Sequence, residues 1–445
     1  MSVLLKRYNN GTFGNSGPSN LNHSAPAIER AIAVIIFAAL LAGPIALNAF
    51  RIGGIPIRGI ATIGVLALTI VFYFDVAKKV FEQNLLLLGL AAGFAALGIF
   101  VSLVNGADIF DILRAVTEVQ VQAAATIIVA SILAQVAGGR ACAIAIILVI
   151  GASACVAAAQ MLGIEPAWAL RRALGPLSSE EVEGLNLVDR RPSGLAYSPI
   201  QFSTHLCLAF AAFVAVREKL RGFTHDADPL VLPALGVLFV GSLICATRSP
   251  ILGGLIFLAA YALQRRSSWL PLFLIMGAVV AYFVWPLLMG VIENTAPRVV
   301  ETDDNSSNAR STLAYYGLRL FADHPIGYGL TFAPMTLWHN YWPDLYVMQA
   351  PRGVREKDLH NYVVTMMNIY GIGMLLLTPL IVKLLKNSKK YLIFFIPYVV
   401  HIFFHNSGPF YNDNVIWFVI AAIAATHQPQ VQRSSETGRL VSGVT

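Results

Sequence analysis

The sequence predicts an all-α polytopic membrane protein with about twelve transmembrane helices and a long extracytoplasmic loop containing an amphipathic helix. Three observations lead there. Hydrophobic residues make up 57% of the 445 and charged residues 12%, and the mean hydropathy is +0.67, well to the apolar side of soluble domains. Apolar runs long enough to cross a bilayer core of ~30 Å follow one another along nearly the whole chain. A backbone in hydrocarbon must satisfy its own N–H and C=O groups, so these runs fold as helices.

In chain order the spans fall at about 31–49, 54–74, 84–104, 115–136, 141–162, 198–216, 230–247, 249–264, 268–291, 362–382, 391–405 and 414–426. The last two are short, so the count is eleven or twelve. Together they form a single helical domain over residues 31–426. Residues 1–30 are polar and rich in Asn, Ser and Gly, which reads as a flexible cytoplasmic tail, and residues 427–445 read as a second one. No short apolar core precedes a small-residue cleavage site, so the first span is expected to act as a signal anchor. Cys142, Cys155, Cys207 and Cys245 all fall inside spans, which suggests neither a disulfide framework nor a zinc site.

With the N-terminus inside, the even-numbered connections face the cytoplasm and carry Lys78, Lys79, Arg140, Lys219, Lys383, Lys386, Lys389 and Lys390 among others. The outer connections are nearly all arginine, with Lys357 as the one lysine. A planar guanidinium grips two phosphate oxygens at once, so the outer face is suited to a phosphorylated ligand. Contacts with lipid headgroups and with acids in the same loops are the alternative use of those arginines.

Two outer connections, 163–197 and 292–361, are too long to be turns and are expected to be functional outer loops. In the second, "DDNSSNARSTLAYYGLRLFADHP" offers Ser306 or Ser307 as an N-cap and Pro325 as a stop. Arg310, Leu313, Gly317, Leu320, Phe321 and His324 lie on one stripe between them, so the helix should rest on the bundle or the membrane surface with Arg310 turned inward. His324 reads as a helix-end group. "LWHNYWPDLY", around His339, reads as an aromatic belt, or as a platform for a sugar. "DRRPSGLAYSP" presents Arg190 and Arg191 at a turn fixed by Pro192 and Gly194. "CATRSPILGG" joins two spans with almost no loop and leaves Arg248 at the outer surface. His360 opens "HNYVVTMMNIYGIG" at the water boundary, where an imidazole can take or orient a hydroxyl proton. "HDADPL" (225–230) contains an Asp-x-Asp pair, but on the cytoplasmic side and in a loop too short for a nucleotide domain.

Taken in order, "RPSG" (191–194), "TRSP" (247–250), "ARSTLAYYGLRLFADHPIGYG" (309–329) and "HNYVVTMMNIYGIG" (360–373) resemble the O-antigen ligase and polysaccharide polymerase superfamily of bacterial membrane glycosyltransferases. The resemblance implies an undecaprenyl-pyrophosphate-linked glycan donor at the periplasmic face of the bacterial inner membrane. The glycan passes to an acceptor sugar hydroxyl without cofactor, nucleotide or metal. On that resemblance Arg191, Arg248 and Arg310 hold the pyrophosphate and His360 activates or positions the acceptor hydroxyl; Arg190, His324, His339 and Asn361 are secondary candidates. His339–Asn340 is a second His-Asn pair, and His360 is preferred because it opens a span with "YGIG" following.

The acceptor is lipid A-core in a ligase and a second lipid-linked glycan in a polymerase, and both need the same clamp and base. Membrane lipids are the other partner; no nucleic acid is called for. A transporter of the same lipid would show internal repeats and charges near mid-membrane; no repeat stands out, and Glu118, near the start of the fourth span, is the only prominent intramembrane acid.

Overall fold

The computed structural model describes residues 26–47, 50–52, 55–174, 191–224, 226–265, 305–348, 353–356 and 358–427. The expected span 268–291, Arg190 and most of both tails lie outside the described residues.

Helices dominate, in the order expected of the apolar runs. They are α1 (Ala27–Ala46), α2 (Ile57–Phe72), α3 (Phe74–Gln83), α4 (Leu85–Val104), α5 (Ile109–Val116), α6 (Gln122–Ala137), α7 (Gly139–Met161) and α8 (Glu165–Ala173). After them come α9 (Pro199–Leu220), α10 (Val231–Ile244), α11 (Ser249–Arg265), α12 (Asn305–Asp323), the short α13 (Trp342–Leu345) and α14 (Gly353–Glu356), α15 (Tyr362–Tyr370), α16 (Thr378–Leu392), α17 (Ile396–Ile402) and α18 (Val415–Ala425). A two-residue hairpin pairs Arg51–Ile52 with Ile55–Pro56 ahead of α2.

Six helical stretches among the described residues are long and apolar enough to cross a membrane, and a seventh is the pair α2 and α3, bent by 115°. This is a multi-pass membrane architecture, with fewer qualifying spans than the twelve expected. The shortfall has identifiable causes. Both α10 and α18 are apolar but short. The two expected spans 362–382 and 391–405 are parts of one helical run, Tyr362–Ile402, which passes through 3-10 turns at Gly371–Leu377 and Ile393–Phe395. At ~1.5 Å per residue that run is about twice the thickness of a bilayer core. It reverses, because His360 just before it and His405 just after it are electrostatic neighbours.

The core sits where α1, α6, α7, α9 and α18 meet, with Phe37, Val129, Ile146, Phe202, Leu208 and Val419 fully enclosed. Helix α9, buried along most of its length, has 22 residues and connects the two ends of the bundle. At its Lys219 end Glu218 is wholly buried and is bonded by Arg265 and by the Tyr261 hydroxyl. Asp228 of the "HDADPL" loop accepts from Arg217 at 2.6 and 3.2 Å and from the Leu230 N–H at 3.0 Å. Burial alone would raise this carboxyl; those bonds and the nearby Arg217 and Arg221 charges outweigh it and leave Asp228 below the usual carboxylate range. Asp228, the second acid of the Asp-x-Asp pair, is thus held in an ion pair with α9, whereas Asp226 is exposed. The opposite end of α9, at Ser198, faces the candidate site.

Candidate active site

Four separate segments build the site, and each is fixed by polar contacts to main chain. The first is the turn 191–198. Gln160 of α7 accepts from the N–H groups of Ser193 and Gly194 at 3.0 and 2.9 Å and donates to the Gly194 carbonyl at 3.1 Å. Gly194 has φ +63°, and a Cβ there would lie 2.3 Å from the Ser153 carbonyl oxygen, so only glycine fits. Arg171 of α8, almost wholly buried, donates to the carbonyls of Ala196 and Tyr197 at 2.7 and 2.9 Å. Ser198 then caps α9 by accepting from the Gln201 N–H, with Pro199 in the first turn.

Arg191 does something the sequence did not suggest. Its guanidinium is buried and donates to the Cys245 carbonyl at 3.2 and 3.0 Å and to the Ala246 carbonyl at 3.0 Å. Those carbonyls close the C-terminal end of α10, which lacks onward helical partners, and Ala246 is held at φ +50°. A bidentate cation at a helix C-terminus also meets the negative end of the helix dipole. Arg191 thereby shapes the second segment, the "TRSP" turn.

In that turn Thr247 bonds Ser203 of α9 at 2.6 Å, and Ser249 bonds the Nδ1 of His401 at 2.9 Å. Both are buried, whereas Arg248 between them is exposed. Alternation of anchored and outward-turned residues presents the Arg248 guanidinium at the end of the bundle.

The third segment is α12. It begins at Asn305, so Ser306 and Ser307 lie inside the helix instead of capping it. Its buried stripe is Ala309, Thr312, Leu313, Tyr316, Gly317 and Leu320, shifted from the one expected: Phe321 and His324 are off it. The stripe packs on the chain leading into α15, where a Cβ on Gly317 would lie 2.5 Å from Val364 and 3.0 Å from Leu359. Asn368 of α15 donates to the Gly317 carbonyl at 2.8 Å. With Leu345, Val354 and Leu359 these residues form a small separate core. The helix therefore rests on the protein, and Arg310 is half-buried at its first turns.

The fourth segment holds His360, half-buried, followed by Asn361, whose side chain accepts from the Val364 N–H at 3.1 Å and caps α15. Asn361 is thus a helix cap. The "HPIGYG" and "YGIG" turns are stitched together by main-chain bonds: Tyr328 N–H to Asn368, Gly329 N–H to Ile369 and Ile372 N–H to Pro325, at 2.7, 2.9 and 2.8 Å. Gly327, Gly329 and Gly371 all have positive φ. His324 bonds the Asn105 amide oxygen at 2.7 Å, which ties this turn to the end of α4, and its ring packs at a tilt against Tyr328.

These segments bring Arg191, Arg310 and His360 within electrostatic reach of one buried group, His405. His405 and its neighbour His401, with ring centroids 4.2 Å apart, were missed in the sequence. The pattern "HIFFH", two histidines four apart at the end of an apolar run, was the available signal. His205, also buried, was missed as well. His339 is exposed and stacks on Trp338, away from this group. In the same aromatic stretch the Arg355 guanidinium lies 4.2 and 4.1 Å from the ring centres of Trp338 and Trp342. Among the described residues no three His, Cys, Asp or Glu side chains could hold a metal ion.

An arrangement of guanidinium groups and an imidazole on rigid turns can bind an oxyanion and manage a hydroxyl proton beside it. Residues 231–378 match the family model described as O-antigen ligase. No curated protein and no solved structure matches the chain. The match begins after the "RPSG" turn and contains the "TRSP" turn, the Arg310 helix, the stitched glycine turns and His360, so over this segment the chain is similar to the O-antigen ligase family.

Proposed function

We propose that the protein transfers a glycan from undecaprenyl pyrophosphate to a sugar hydroxyl at the periplasmic face of the bacterial inner membrane, with lipid A-core as the acceptor. The observation that carries this reading is the convergence of Arg191, Arg310 and His360 from three separate segments around one buried imidazole, with Arg248 held at the same end. Arg248 and Arg310 hold the pyrophosphate, and Arg191 adds charge while fixing the turn that bears Arg248. As the bond from the anomeric carbon to the leaving oxygen breaks, negative charge grows on the pyrophosphate, and preorganised guanidinium groups stabilise it as it forms. His360 takes the proton of the acceptor hydroxyl as the new bond closes. Attack opposite the leaving group inverts the anomeric carbon.

The test is genetic and chemical. In a deletion strain, wild type should restore long glycan on lipid A-core, seen on a lipopolysaccharide gel. His360→Ala should lower transfer by about 10²-fold or more and leave glycan on the lipid carrier. Full restoration by His360→Ala would overturn the mechanism. A deletion strain that still caps its core but carries only single repeat units would make the protein a polymerase, using the same clamp on two lipid-linked substrates.

A further inference from the structure

A chain of polar side chains runs through the bundle immediately behind the site, and the proposed transfer reaction does not use it. Helices α11 and α17 approach closely: a Cβ on Gly253 would lie 2.6 Å from Pro397. One turn further along, that approach places Ser249 against His401. His401 presents Nε2 to the Ile200 carbonyl at 3.2 Å and to the Thr204 hydroxyl at 3.1 Å, and Nδ1 to Ser249 at 2.9 Å. Ser249 in turn lies 3.5 Å from Nε2 of His405.

The donors in this chain follow from its far end. The Ile200 carbonyl can only accept, and Thr204 already donates to it at 3.1 Å, so His401 carries its proton on Nε2. A neutral His401 ring then offers Nδ1 as an acceptor, and the Ser249 hydroxyl donates to it. The Ser249 oxygen is left to accept from Nε2–H of His405. A neutral His405 ring so arranged has its lone pair on Nδ1. Of the arginines and His360, Arg310 bears most strongly on His405, followed by His360 and Arg191.

We propose that the Ile200–His401–Ser249–His405 chain fixes the His405 ring as a hydrogen-bond acceptor for the Arg310 guanidinium, so that His405 is a positioning residue for pyrophosphate binding. This rests on the reading of Arg310 as a pyrophosphate ligand. It gives buried histidines a purpose in a cluster otherwise made of cations. It also ties the outer helix α12 to the bundle through one polar contact at the point where charge must be held.

Binding of undecaprenyl pyrophosphate to the purified full-length protein in detergent tests it without relying on turnover. His405→Leu, similar in size but with neither donor nor acceptor, should weaken binding about tenfold. His405→Gln, whose amide donates to Ser249 and accepts from Arg310, should bind close to wild type. Ser249→Ala, a smaller change, should weaken binding by several-fold. Combined with Arg310→Ala, neither His405→Leu nor Ser249→Ala should weaken binding further. Full additivity with Arg310→Ala, wild-type binding by His405→Leu, or equal failure of His405→Gln and His405→Leu would each overturn the proposal. Wild-type binding by Arg310→Ala would remove the pyrophosphate reading itself; a loss there with none at His405 would sink the positioning role alone.

Discussion

Arg191 directs its guanidinium at two main-chain carbonyls that end a helix, while Arg248, three residues past the first of them, is turned outward. The two arginines should therefore fail differently. Arg191→Ala leaves the Cys245 and Ala246 carbonyls without their charged donor and is expected to cost roughly 2 kcal/mol of stability as well as activity. Arg248→Ala should leave thermal unfolding in detergent unchanged while lowering transfer at least tenfold. Equal melting losses for both would show that Arg191 is not the structural one. Residue types and order were readable in the sequence, but this division of labour was not, because it depends on which carbonyls a helix end leaves open. That a helix follows His360 was readable from the apolar run after it. His401 and His405 escaped because an apolar run with two histidines looks like any short span until Ser249, about 150 residues earlier in the chain, is placed beside them.

At the scale of elements the stitched glycine turns set the site. A Cβ on Gly371 would lie 2.0 Å from the Ile326 carbonyl oxygen, at φ +60°. Gly371→Ala should accordingly lower the amount of folded protein extracted in detergent and abolish transfer together, and a well-folded, active Gly371→Ala protein would contradict the geometry. The helix over 305–323 and its stop at Pro325 were legible, since an amphipathic period and a proline are local signals. Its start and its buried stripe were less so. Gly317 and Asn368 fix the stripe through contacts across helices, and no local period records which face will meet them.

For the whole molecule, hydropathy marked apolar helices among the described residues but not how they are built. Apolar composition says that a stretch prefers hydrocarbon; it does not say that α2 and α3 bend by 115° or that Tyr362–Ile402 reverses through 3-10 turns. Sidedness is open to direct measurement. In a Cys155→Ser background, Thr336→Cys on the Arg310 side should react with a membrane-impermeant maleimide on intact cells stripped of their outer membrane. Lys386→Cys should react only after permeabilisation. The reverse pattern would place the site in the cytoplasm and remove the periplasmic reaction.

The stitching of residues 325–329 to 368–372 runs through backbone N–H and C=O groups. A strut made of main chain is indifferent to most of the side chains along it. Substitutions can accumulate between the glycines without moving Arg310 or His360 relative to each other. Sequence identity can thus erode widely while spacing and a few glycines persist, and that is the pattern to follow when seeking this chain's distant kin.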